Sequence, residues 1–253
     1  MRKIIALKSG DGFTIVELMI ALSVLSVILV MTTVVLIQIG ALYVKGVNAA
    51  NLQNTSRIIV ADVSASLQFS GNAPASCTVN GAGTSCDANP PTGASYTNPQ
   101  SYTTGSVSVS VHAFCIGTVR YSYVLDSEQG TDNAANSVTG TAAGAVTPHV
   151  LWRDIILPNT PCQPLDLSQT TVPNTDGTPS GGYDMASDHM RLTRFKIWPP
   201  AGDSSYGIDV WMAYGDSDLV NTSASGQSTC SGGAGTQFCS VSQISSAVRG
   251  RAY

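Results

Sequence analysis

From Leu18 to Val44 this 253-residue chain carries no charged side chain, and Lys45 is the first to interrupt the run. Twenty of those residues, Leu18 to Ile37, also lack proline and glycine. Wound as an α-helix they reach about 30 Å, the thickness of a bilayer's hydrocarbon core. A basic start, Arg2, Lys3 and Lys8, precedes the run, and a single carboxylate, Glu17, stands at its mouth. An acid inside hydrocarbon costs several kcal/mol on most scales, so its presence there points to a task. A secretory signal places its small cleavage residue after the apolar core. Here the small residue, Gly12, comes before it, so a cut at that point leaves the hydrophobic segment on the mature chain.

The junction Gly12-Phe13-Thr14-Ile15-Val16-Glu17, followed by Leu18-Met19-Ile20-Ala21-Leu22, resembles the N-terminus of type IV pilins, minor pilins and the pseudopilins of type II secretion. The resemblance covers about the first forty residues. It implies a leader of residues 1–12, cleavage between Gly12 and Phe13 by a prepilin peptidase, and N-methylation of Phe13. It also implies a charge pair between Glu17 of one subunit and the new Phe13 amine of its neighbour. Partners follow from it: other pilin subunits through the N-terminal helix, an inner-membrane assembly platform, and the inner membrane itself before assembly. The basic leader predicts a single-pass protein with its N-terminus in the cytoplasm and the rest outside. Rival readings are a pseudopilin of a secretion or DNA-uptake machine and a surface binding module on an uncut anchor.

Beyond Lys45, Leu52, Ile59, Val63 and Leu67 recur at spacings of seven, four and four, one stripe of a helix. No proline occurs before Pro74, so the helix is expected over residues 13–70, with membrane or filament core in 13–39. Residues 71–253 are expected to form one exported β-rich domain. Its opening, Gly71 to Gly105, reads as loop. Strands are expected at Ser106–Val111, Val119–Leu125, His149–Leu157, Met190–Trp198 and Tyr206–Tyr214, with a hairpin turn at Gly117-Thr118. Asp126–Thr147 and Pro158–Tyr183 read as surface connections. The alternation in Met190–Trp198 is mixed. The whole is an α+β chain, a long helix packed on an antiparallel sheet with long disulfide-stapled loops, the arrangement of the pilin fold.

Removing the leader takes three basic residues and one acid, leaving nine against fifteen and a net charge of −6. That excludes nucleic-acid binding by a broad basic surface. Six cysteines, Cys77, Cys86, Cys115, Cys162, Cys230 and Cys239, suit disulfides in an exported domain. Fifteen pairings exist on paper; Cys77/Cys86 and Cys230/Cys239 each close a local loop, which leaves Cys115 with Cys162. The ligand spacing of a zinc site is missing, and His112, His149 and His189 read as ordinary strand or loop residues. The acidic turn Tyr214–Leu219 holds Asp216 and Asp218. The resemblance makes them calcium candidates, since some pseudopilins hold that ion in a C-terminal loop; their plain reading is turn formation. No cofactor is otherwise expected. No nucleophile elbow, phosphate loop or H-E-x-x-H motif occurs, so the chain reads as structural rather than enzymatic. Its length and cysteines favour a minor or tip subunit with a part in initiation or cell adhesion over a major one.

Overall fold

The computed structural model describes residues 13–69, 76–80, 83–87, 100–104, 107–130, 146–157, 162–174, 177–198, 205–216, 218–223, 225–233 and 235–249; side chains of 76–109, 146 and 198 fall outside the description. The chain divides into two compact units, one ending at Tyr43 and one running from Val44.

A single helix, α1, spans Ile15–Phe69. In the first unit the large apolar side chains are exposed, from Phe13 through Leu42 and Tyr43. Four hydroxyls between Ser23 and Thr33 bond the helix's own backbone, which lowers their cost in hydrocarbon. Ser23 donates to the Ile20 carbonyl at 2.8 Å, Ser26 to Ser23 at 2.8 Å, and Thr32 and Thr33 to Leu29 at 2.9 and 2.8 Å. Among the described residues this is one helix long and apolar enough to cross a membrane.

In the second unit the sequence stripe becomes a core face: Leu52, Ile59, Val63 and Leu67 are buried, joined by Ser56 and Val60. They pack against two five-stranded sheets. The first has the order β3 (Gln100–Thr104), β4 (Val107–Ile116), β5 (Val119–Val124), β8 (Leu151–Ile155), β9 (Tyr183–Asp184). The second has the order β14 (Ser240–Arg249), β11 (Ser205–Tyr214), β10 (Met190–Trp198), β6 (Glu128–Gln129), β7 (Val146–Thr147). All pairs are antiparallel except β6 with β7. Two small ribbons complete the unit: β1 (Ser76–Asn80) with β2 (Gly83–Asp87), and β12 (Val220–Thr222) with β13 (Ser228–Cys230). The opening stretch read as loop thus contains β1, β2 and β3.

The hairpin turn falls at Gly117-Thr118, where Ile116 pairs with Val119 and Gly117 takes φ 61. Phe114, Ile116, Tyr121 and Tyr123 face the helix from the first sheet; Leu192, Phe195, Ile197, Ile208, Val210 and Met212 face it from the second. At the centre the Phe114 ring stacks on Tyr121 at 4.9 Å and meets Phe195 edge-on at 4.8 Å. The mixed alternation of β10 has a local cause: its register against β11 shifts between Leu192 and Arg194. A bulge turns both Leu192 and Phe195 inward although three positions separate them.

Each sheet carries a cover over part of its far side. Every residue of β5 after Val119 is buried, the mark of a strand covered on both faces. Leu165, Leu167 and Val172 cover Val111 and Val124, so part of the connection read as a surface segment is a lid on the first sheet. Behind the second sheet, Val220 and Cys239 pack on Ala213. The disulfides Cys115–Cys162 and Cys230–Cys239, with Cα atoms 5.9 and 5.7 Å apart, tie each cover down. Cys77 and Cys86 stand opposite each other in the β1–β2 register; their side chains lie outside the described residues.

Candidate functional site

The helix terminus is built by Thr14. Its carbonyl accepts the first helical bond, from the Leu18 amide at 3.1 Å, and its Oγ1 accepts from the Glu17 amide at 3.2 Å. Thr14 is therefore the N-cap and Glu17 the third helical residue, the Thr-x-x-Glu spacing of a capping box. Two consequences follow for Glu17. Its carboxylate sits in the first turn, where the helix dipole favours negative charge. It is also exposed, as is Phe13 at 81%, so both are free to meet something outside the chain. Only Phe13 and Thr14 separate the Gly12 junction from the helix. Gly12 and the rest of the leader lie outside the described residues. The reading of the sequence picked out Glu17 but passed over Thr14, though the capping spacing is there to be read.

A second arrangement of chemically capable side chains lies where β6, the turn before β10 and the end of β11 meet. His189 adopts φ 60, in the left-handed region. Its amide donates to the Gln129 carbonyl at 2.8 Å, and its carbonyl accepts from the Gly215 amide at 2.9 Å, so its backbone ties the three segments together. Gly215 has φ 124, and a Cβ there would stand 2.9 Å from the Phe238 carbonyl oxygen; glycine is what lets the chain pass and deliver Asp216. The His189 Nδ1 then lies 2.9 Å from Glu128 Oε1 and 3.4 Å from Asp216 Oδ1. Buried Arg191 holds the other Glu128 oxygen at 3.4 Å. Burial pushes the Glu128 carboxyl above its ordinary pKa. The hydrogen bond that His189 donates to Glu128 raises the pKa of the imidazole. Of the two calcium candidates, Asp216 joins this cluster. Asp218 is exposed, and its backbone carbonyl accepts from the Ser231 hydroxyl at 3.2 Å.

The remaining polar contacts are structural. Asp62 on α1 accepts from Tyr121 Oη at 2.6 Å and from Arg153 Nε at 2.8 Å, which pins the helix to the first sheet. Buried Arg120 donates from Nε to Asp154 at 2.9 Å and from Nη1 to the Gln163 carbonyl at 3.0 Å.

Residues 8–33 match the family model of the prokaryotic N-terminal methylation motif. No curated protein and no solved structure matches the chain. A methylation motif running into a membrane-length exposed helix, whose rear half packs on antiparallel sheets, supports reading the chain as a type IV pilin-like protein. The motif implies processing by a prepilin peptidase, membrane anchoring, and then assembly with other pilins.

Proposed function

We propose that this chain is a minor subunit of an extracellular type IV pilus-like filament. The observation that carries the reading is the methylation motif over residues 8–33 continuing into a capped helix whose large apolar side chains, among the described residues, are exposed. The precursor lies in the cytoplasmic membrane with its N-terminus inside. Prepilin peptidase cuts after Gly12 and methylates Phe13. An inner-membrane platform then moves the helix from lipid into a bundle of like helices, with the β unit outside. The chain is structural and catalyses no reaction.

Glu17 supplies register in that bundle. Its exposed carboxylate stands at the same end as the new Phe13 amine, and a neighbour displaced along the axis brings the two into contact. Away from water such a pair attracts strongly, while either charge left alone is penalised by several kcal/mol. Misaligned neighbours are therefore rejected. The covers strapped over both sheets make the β unit bulky, which suits a place at low copy number or at the tip.

N-terminal sequencing and intact mass, taken separately on membranes and on sheared surface material, test the reading. Methylated Phe13 in the sheared fraction is the expected result. The same terminus confined to membranes would favour a pseudopilin, and an intact leader in both would make the chain an anchored module. Glu17→Ala is expected to be cut normally and to enter filaments poorly; wild-type amounts of it in filaments would reject the pairing.

A further inference from the structure

We propose that Glu128, His189 and Asp216 form a binding site for one zinc-like divalent ion, which staples β6, the turn before β10 and the end of β11. Three observations combine. The first is spacing: His189 Nδ1 faces Glu128 Oε1 at 2.9 Å and Asp216 Oδ1 at 3.4 Å, and the three donor atoms lie within 4.8 Å of one another. Donors around a tetrahedral zinc, with bonds of about 2.0–2.1 Å, stand about 3.3 Å apart. Both carboxylates converge on one ring nitrogen, the arrangement that a shared ion requires.

The second is charge. Asp126 and Glu128 flank the guanidinium of Arg191, and Asp188 and Asp216 add their charge beside His189. Four carboxylates thus gather around Arg191 and His189 together, and one guanidinium with a single imidazole proton leaves a surplus that a divalent ion removes. Arg191 bonds Oε2 of Glu128, which orients the carboxylate and leaves Oε1 turned to His189.

The third is access. The Glu128 side chain is 9% exposed, while those of His189 and Asp216 are 54% and 64% exposed. One wall is fixed and the other open, so an ion enters without unfolding and water completes its shell. A nitrogen donor with two carboxylates suits a borderline transition ion; calcium takes six to eight oxygens.

The test uses the full chain, disulfides intact, in detergent micelles. After chelation and removal of the chelator it is titrated with zinc chloride, then with calcium chloride. Bound metal per chain and the thermal midpoint are measured. The expected result is one zinc retained per chain, a raised midpoint, and at least about tenfold weaker zinc binding in both Asp216→Asn and His189→Asn. Asparagine is chosen at 189 because it tolerates the left-handed backbone. Should His189→Asn fail to fold, the exposed Asp216→Asn decides alone. No retained zinc, equal zinc binding by Asp216→Asn and wild type, or preference for calcium would each overturn the proposal.

Discussion

His149 has an acceptor at each ring nitrogen: Asp184 Oδ2 lies 2.7 Å from Nδ1, and the Thr170 carbonyl lies 3.1 Å from Nε2. Only the imidazolium donates to both. Burial by itself lowers the pKa of this ring, but the Asp184 carboxylate and the carbonyl outweigh it, and the pKa lies above its ordinary value of 6.5. The folded state therefore binds this proton more tightly than the unfolded chain. The stabilisation is complete below about pH 6.5 and is lost as pH rises through the folded pKa. Burial shifts His112 the opposite way, so the whole-protein profile mixes the two signs. The difference between wild type and His149→Gln isolates the effect: the gap in urea midpoint is expected to be wider at pH 6 than at pH 8. A gap that does not change with pH would reject the assignment. None of this is legible in the sequence, because the partners of His149 lie 21 and 35 positions away. The same distance hides the metal-site candidate. Glu128 is separated from His189 by 61 positions, and only Asp216 was visible, as part of an acidic turn.

At the scale of elements, legibility follows periodicity. The rear half of α1 could be read because Leu52, Ile59, Val63 and Leu67 keep helical spacing, and all four are buried. β10 was found but its facing was not, since one inserted residue breaks the two-residue period. β14 went unread: SVSQISSAVR has five residues of serine or glutamine and little β-branched pattern, and its ten pairings with β11 hold it in place. The lid over the first sheet reads as loop because its inward residues, among them Leu165, Leu167 and Val172, keep neither a strand nor a helix period. Its anchor should matter accordingly. Cys115–Cys162 spans 47 positions and Cys230–Cys239 spans 9. Loop-closure entropy assigns them about 4 and about 3 kcal/mol. Replacing each pair by alanines should thus lower stability in that order, measured by chemical denaturation under non-reducing conditions. The reverse order would show that packing of the covers, rather than restraint of the unfolded chain, dominates.

At the scale of the whole molecule, α1 serves two solvents. Its exposed stretch through Tyr43 belongs to lipid or to other helices, while Leu52, Ile59, Val60, Val63 and Leu67 are part of the core of the second unit. A chain beginning at Val44 is expected to stay in aqueous solution and unfold cooperatively on heating. A chain beginning at residue 70 loses five buried apolar side chains, roughly 10 kcal/mol of burial and as much as an ordinary domain's entire stability. It is expected to show no cooperative transition by circular dichroism. Folding of the first and failure of the second would place the border of the autonomous unit inside a continuous helix; equal behaviour would refute it.

β14 sets a clock on biogenesis. It closes the edge of the second sheet and brings Ile244 and Val248 against the core that Leu52 to Leu67 begin. Those two contributions lie at opposite ends of the second unit, about 170 positions apart. A ribosome adding 5–20 residues per second needs roughly ten to thirty seconds to deliver the last strand after the helix has emerged. Throughout that interval the helix shows an unfilled apolar face, and once β11 is made it shows an unpaired edge until β14 follows, both sticky to other nascent chains. Both cysteines of the Cys115–Cys162 pair are delivered before β10, β11 and β14, so oxidation can lock the first sheet while the second is still waiting for its border.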